Sequence, residues 1–375
     1  MTHDSRQPKR IAFRTDASVE IGTGHVMRCL TLADALREDG AECLFLCRRH
    51  EGNLLELIAG RGYKAIALPR PDALAAMDCD APPHAHWLGT NWATDAQDSL
   101  EALAGVSTDW MVVDHYALDR RWEQAVRPSY RRLLVIDDLA DRPHDCDLLL
   151  DQSLGRRVED YCDLLPPDAQ TLIGPRYALL RPEFAALRAE SLARREQSEF
   201  KHLLITMGGV DKDNATGAIL DALGGCELPP DLRITVVMGP HAPFLAQVRA
   251  KAAAMPRPTR VLVGVHDMAR LMTDADFAIG AAGSTSWERC CLGLPTIQLV
   301  LAENQKEVAA AFAELNAVIA IPTVPSLQKI LPKLLKDPAF EQLRLLSRYS
   351  SGICDGLGVL AVIEGMLQET ISLGV

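Results

Sequence analysis

Short runs of apolar and β-branched residues recur along this chain, each parted from the next by a stretch with helical spacing, and the series restarts after a charged break near Arg181. That alternation is the signature of a parallel sheet covered by helices, since parallel strands need crossovers long enough to hold a helix. The pattern predicts strands at Ile11–Phe13, Cys43–Cys47, Lys64–Leu68, Met111–Asp114, Leu133–Asp137 and Leu148–Asp151. A second set is expected at Leu203–Thr206, Ile234–Met238, Val261–Val263, Phe277–Ile279 and Thr296–Val300. Between the first two strands, Val26, Leu30 and Ala33 recur at helical intervals and Cys29, Leu32 and Leu36 widen the apolar face, which predicts a helix over Val26–Glu38.

A length of 375 residues exceeds one ordinary core and suits two. The expected fold class is α/β, with two Rossmann-like doubly wound domains facing each other across a cleft. The first domain is expected over 9–180 and the second over 201–350. The charged, helix-prone segment 181–200 reads as a connector, and the C-terminal segment 351–375 as a helix packing back across either domain.

Composition narrows the function. The formal net charge is −11 and no Lys/Arg block interrupts it, which argues against a grip on nucleic acid. Mean hydropathy is near zero, no run approaches the length of a membrane span, and the opening MTHDSRQPKR lacks an apolar core. The cytoplasm is the expected compartment, with no stable membrane association; GNLLELIAG, the one mild candidate for a membrane patch, reads better as a core-facing helix. Ten cysteines include no C-x-x-C pair, so Cys43 and Cys47 read as buried apolar side chains. His84 and His86 in PPHAHW lack a third ligand, and no metal is proposed.

In open parallel sheets ligands bind beyond the carboxyl ends of the strands, so the turns there deserve the closest reading. The first is RTDASVEIGTGHVMRCL, where Gly22 and Gly24 let a ligand approach the backbone and His25 opens a helix. A helix start attracts anions and disfavours a protonated imidazole, so His25 is expected to be neutral and able to serve as a base. Capping or packing at a helix start explains the same histidine equally well on this segment alone. The dinucleotide fingerprint fails here because Met27 stands where its last glycine belongs. Asp16 is expected to orient His25 or to hold a substrate hydroxyl, and Arg28 lies one turn from His25 on the same face. In VVDHYALDRRWE, Asp114, His115 and Tyr116 come to the same rim, and Tyr116 is a candidate to stack on or hydrogen-bond a sugar.

In the second half, MGGVDKDNATGAIL reads as a glycine turn opening a helix, with Gly208 and Gly209 letting backbone amides reach a phosphate; the Walker lysine is missing. AAGSTSWERCCLGLPTI offers Gly283, Ser284 and Thr285 for a second phosphate, and Glu288 as a carboxylate for the ribose hydroxyls. A plain tight turn and a dipole-favoured glutamate fit these local patterns too.

Taken together, FRTDASVEIGTGHVMRCLTLADALRE, VVDHYALDRRWE, GPRYALLRPEF, MGGVDKDNATGAIL and GAAGSTSWERCCLGLPTI closely resemble the UDP-sugar hydrolases of pseudaminic acid biosynthesis. The resemblance covers nearly the whole chain, with the motifs in the family's order. It implies the two-domain GT-B fold and the substrate UDP-2,4-diacetamido-2,4,6-trideoxy-β-L-altropyranose. It also implies hydrolysis without metal or cofactor, with inversion, to UDP and the free sugar. The family's catalytic histidine falls on His25 and its nucleotide motif on Gly283 through Glu288. Two other readings stand beside this one: a GT-B glycosyltransferase that passes the sugar to an acceptor, and a nucleotide-sugar sensor with no use for His25 as a base.

Overall fold

The structure, a computed structural model, describes residues 8–70, 80–197, 200–301, 305–336 and 340–368. Most of the polar opening and the last residues of the C-terminal segment therefore lie outside the described residues. The chain divides into two compact units, one running to Leu179 and resuming at Gly358, the other spanning Leu180–Leu357.

The first unit carries β1 (Arg10–Thr15), α1 (Gly24–Glu38), β2 (Glu42–Arg48), α2 (Leu55–Gly60), β3 (Lys64–Leu68), α3 (Trp92–Ala102), β4 (Thr108–Asp114), α4 (Arg120–Ala125), β5 (Tyr130–Ile136), β6 (Leu148–Asp151) and β7 (Gln170–Ile173). All its strands are parallel, in the order β3-β2-β1-β4-β5-β6-β7. Side chains alternate across β1: Ile11 and Phe13 face α1, where Val26, Leu30 and Ala33 are buried, while Ala12 faces the layer of α3 and α4 with Trp122. Phe13 stacks on Phe45 of β2 at 4.7 Å. Each such fully buried large apolar side chain contributes about 1.5–3 kcal/mol by transfer alone.

The second unit carries α5 (Pro182–Glu196), β8 (His202–Thr206), α6 (Ala215–Gly224), β9 (Arg233–Met238), α7 (Leu245–Ala253), β10 (Thr259–Val263), α8 (Met268–Asp274), β11 (Phe277–Ala281), α9 (Thr285–Cys291), β12 (Thr296–Leu299), α10 (Lys306–Glu314), β13 (Ile319–Ile321), α11 (Val324–Lys336) and α12 (Phe340–Ser351). Its sheet is also parallel, in the order β10-β9-β8-β11-β12-β13.

One segment differs from the sequence reading. The described residues of 181–200 do not stand apart as a connector: α5 is packed within the second unit, with Phe184 buried and Arg195 donating to the carbonyl of Met272 at 2.8 Å. Arg188 and Arg195 donate to backbone carbonyls, which the charge count of the segment conceals. The last helix, α13 (Gly358–Leu367), joins the first unit, where Val362, Ile363 and Met366 enter the α1 face of the core. It sits so close that a Cβ at Gly358 would lie 2.4 Å from the carbonyl oxygen of Ala178. Among the described residues no helix is long and apolar enough to cross a membrane.

In each sheet the strand order reverses beside its first strand, between β1 and β4 in one unit and between β8 and β11 in the other. The crossovers leave these pairs toward opposite faces, which opens a crevice beyond their carboxyl ends.

Candidate active site

Thr15 and Asp114, the last residues of β1 and β4, are paired in register across the first of these reversals. The chain leaves β1 through a loop closed on itself: Ser18 and Gly22 pair, and Ser18 Oγ accepts from the amides of Glu20 and Ile21. Gly22 takes a left-handed φ of 82°, open to glycine without strain. The turn delivers α1, whose N-cap residue Thr23 makes no side-chain capping bond, and places His25 in its first turn.

His25 Nδ1 lies 2.6 Å from Asp114 Oδ1. Arg28, one turn on, donates to both oxygens of the same carboxylate, at 2.6 and 2.7 Å, and a third nitrogen reaches Asp138 Oδ2 at 2.6 Å. Tyr116 donates its hydroxyl to Asp138 Oδ2 at 2.9 Å, and its ring meets that of His25 edge-on at 4.6 Å. Asp114 is fully buried. Burial favours its neutral acid, but the guanidinium of Arg28 and the imidazole of His25 outweigh that and hold the carboxyl well below the usual range. An ionised Asp114 only accepts, so the imidazole turns its Nδ1–H inward and leaves Nε2 with a free lone pair. Among the described residues Nε2 meets no hydrogen-bond partner.

The orienting role expected of Asp16 belongs to Asp114. Asp16 is fully buried and its carboxylate is taken up elsewhere: Oδ1 accepts from the backbone amide of Arg48 at 2.6 Å and lies 2.8 Å from Arg14. His115 Nδ1 accepts from the amide of Ala117 at 3.1 Å, so its proton sits on Nε2, 3.2 Å from Asp16. Asp16 Oδ2 makes no well-formed hydrogen bond but is buried, so the carboxylate is not open to a substrate. The same network continues to Asp95, which accepts from Arg14, Arg48 and the Trp122 indole. It is a buried support under the β1 and β2 ends.

Gly24, His25, Arg28 and Tyr116 are thus brought together at one crevice. Asp138, Trp87 and His84 join them although the sequence reading gave them no such part. Trp87 lies 5.7 Å from Tyr116 with its plane tilted 24°, and His84 lies 4.5 Å from Trp87. A carboxylate pair just past a strand end, Asp137–Asp138 after β5, is the signal that could have found the first.

The second unit shows a related but unequal pair of turns. Gly208 takes φ 89°, and Gly209 accepts from the amide of Gly239 at 3.0 Å. The expectation that this glycine pair opens a helix is corrected, because α6 starts at Ala215 and its first amides are already capped. Asp211 accepts from Ala215 and Thr216 at 2.8 and 2.9 Å, and Asn214 from Gly217 at 3.2 Å. A carboxylate in that place repels an anion, so only the turn amides remain for a phosphate. At β11, by contrast, Ser284 leaves the start of α9 without a side-chain cap. Arg289 lies buried behind this turn, donating to Thr285 Oγ1 at 3.0 Å, Ser286 Oγ at 3.0 Å and the carbonyl of Ala281 at 2.8 Å. Because Thr285 Oγ1 accepts from Arg289, its own proton is free to be donated outward. Burial pulls the Arg289 guanidinium down to about 10, still cationic at neutral pH. Glu288 faces Arg181 at 3.7 Å, and its burial raises the carboxyl, partly offset by Arg181 and Arg289.

No protein-family model matches the chain. It is similar to an uncharacterized protein of Methanocaldococcus jannaschii, 26% identical over 305 residues that make up 80% of this chain and 57% of that one. It is also similar to the UDP-2,4-diacetamido-2,4,6-trideoxy-beta-L-altropyranose hydrolase of Campylobacter jejuni, 24% identical over 81% of this chain and 96% of the other. A third relative is the spore coat polysaccharide biosynthesis protein SpsG of Bacillus subtilis, 26% identical over 53% of this chain and 59% of the other. The match therefore spans a little over half the length of the first and third relatives and nearly all of the second. Among solved structures, MurG of Acinetobacter baumannii superposes with a TM-score of 0.66 at 16% identity, covering 95% of this chain and 99% of its own. The spinosyn rhamnosyltransferase SpnG does so with a TM-score of 0.59 at 18% identity, over 94% and 99%. These likenesses show the fold, two Rossmann-like units of the GT-B class. The Campylobacter relative bears out the resemblance drawn from the sequence motifs.

Proposed function

We propose that this chain is a nucleotide-sugar enzyme that hydrolyses a UDP-diacetamido-trideoxy-sugar to UDP and the free sugar, in pseudaminic acid biosynthesis. The observation that carries this reading is the His25–Asp114 pair, with Nδ1 on a buried carboxylate and Nε2 free of any partner among the described residues. A sensor has no use for an imidazole oriented in that way. The name of the Campylobacter relative supports the reaction and the sugar.

In this reading Nε2 of His25 takes a proton from water as the water oxygen bonds to the anomeric carbon. The bond from that carbon to the phosphate oxygen breaks, its electron pair leaves with UDP, and the anomeric centre inverts. Asp114 stabilises the imidazolium that forms, and Arg28 keeps Asp114 ionised and in place. Gly22 and Gly24 leave room for the substrate beside the backbone, and Tyr116 backs the imidazole. On the second unit Gly283, Ser284 and Thr285, with the cation of Arg289 behind them, hold the diphosphate together with the Gly208–Gly209 turn. Glu288 accepts from the ribose hydroxyls. Asp16 acts from beneath, through the loop it anchors.

The test is turnover in ¹⁸O-water without any acceptor, with both products weighed. Label in the sugar is expected, whereas label in UDP would overturn attack at carbon. His25→Asn is expected to lower the rate by about 10²–10⁴-fold with UDP binding retained. Release only on adding an acceptor would make the chain a transferase, and binding without release would make it a sensor.

A further inference from the structure

Of the aromatic residues around His25 only Tyr116 has a part in the chemistry above, and only some of them are open. Tyr116 is closed: it is 7% exposed, its hydroxyl is spent on Asp138, and the Arg142 guanidinium lies 5.8 Å over its ring. Trp87 and His84 are half-buried, lie 4.5 Å apart, and are 5.7 and 5.6 Å from Tyr116. The Trp87 ring centre is 6.4 Å from that of His25, at 75°.

We propose that Trp87, with His84 beside it, forms the wall against which the apolar face of the sugar packs next to His25. This rests on the reading of His25 as the base of a UDP-sugar hydrolase.

Three features support it. The turn that carries Trp87 is pinned: Ala85 and Leu88 are buried, and His86 Nε2 lies 3.0 Å from Glu20 of the loop that leads to His25. Gly89 ends the turn at φ 71°, where a Cβ would meet His50 at 2.9 Å, so the backbone that carries Trp87 runs close against β2's end. Burial lowers the pKa of His84, which favours a neutral ring and keeps the open wall aromatic and uncharged. A sugar with a 6-deoxy methyl and two acetamido methyl groups presents the apolar, weakly polarised C–H surface that an aromatic face attracts. A hexose bearing only hydroxyls offers less of it. The wall therefore selects by sugar substituent and is indifferent to the nucleotide.

The experiment uses the full chain labelled with ¹⁵N in its tryptophan indoles, with the Trp87 resonance identified by Trp87→Phe. In the His25→Asn background, to slow turnover, it is titrated with UDP and with UDP-2,4-diacetamido-2,4,6-trideoxy-β-L-altropyranose. The Trp87 resonance is expected to move with the sugar nucleotide and to stay with UDP alone. In the native background, Trp87→Ala is expected to raise KM for the diacetamido sugar nucleotide by about 2–10-fold, leave inhibition by UDP unchanged, and be largely rescued in Trp87→Phe. Hydrolysis with Trp87 unmoved, an equal response to UDP alone, or an unchanged KM in Trp87→Ala would each overturn the wall and leave the hydrolase standing. Neither binding nor hydrolysis of this sugar nucleotide would overturn both.

Discussion

Asp114 Oδ1, at the last residue of β4, lies 2.6 Å from Nδ1 of His25 in the first turn of α1. The pair is made by strand order: β4 neighbours β1 although two strands and three helices separate them in sequence. Asp114→Asn keeps the shape but replaces a pure acceptor with an amide, which removes the preference for the Nδ1–H tautomer. The rate is expected to fall by about 10²–10⁴-fold, as for loss of the base itself, with UDP affinity nearly unchanged. The double variant with His25→Asn should fall little further. Additive losses in kcat would show that the two residues act separately.

Glu288 gives a pH-dependent signature. Burial raises its carboxyl, so protonation begins at a higher pH than for an ordinary glutamate. If the carboxylate accepts from ribose, affinity is full above the raised value and declines as pH falls through it. Binding of UDP-N-acetylglucosamine, which has no terminal phosphate to titrate, should weaken in that window, and Glu288→Gln should flatten the profile. The same decline in the variant would assign the titration elsewhere.

Asp95 tests the support beneath the site. It is fully buried and accepts from two arginines, Arg14 and Arg48, that are themselves fully buried. Burial alone would raise its carboxyl, but the two guanidinium groups hold it below the usual range. Asp95→Ala leaves two cations without their shared partner and is expected to cost about 3–5 kcal/mol in denaturant unfolding. The carboxyl is depressed in the folded state, so its contribution is complete above about pH 4 and is lost as pH falls through the depressed value. A loss under about 1 kcal/mol would mean that the arginines find other acceptors.

Gly280 tests the seat of Arg289. A Cβ at this position in β11 would lie 2.5 Å from Arg289 Nη1, so Gly280→Ala must displace the guanidinium from its carbonyl and hydroxyl acceptors. With that cation shifted, UDP affinity is expected to drop by about 5–30-fold while uridine affinity stays. An equal drop for uridine would point to general distortion of the unit instead.

Much of this arrangement was legible before any coordinates. Burial on both faces gives the central strands continuous apolar runs, so nine of the eleven expected strands fall within one residue of the observed ends on the carboxyl side. That is the side where the candidate site lies. Two strands escaped, Gln170–Ile173 and Ile319–Ile321, because they are short edge strands and only partly buried, with too little apolar pattern to stand out. His25, Arg28 and the turn at Gly283–Thr285 were readable because a strand, a small-residue turn and a helix start follow one another locally. Which carboxylate would meet His25 was not readable. Asp16 is nine residues away and Asp114 is 89, and only the pairing of Thr15 with Asp114 across β1 and β4 decides between them. The capping of α6 by Asp211, the closing of Tyr116 by Asp138 and Arg142, and the placing of Trp87 beside His25 are of the same kind. Periodicity and turn chemistry act between near neighbours in the chain, whereas the partner of a buried polar atom is set by which strand ends the fold brings together.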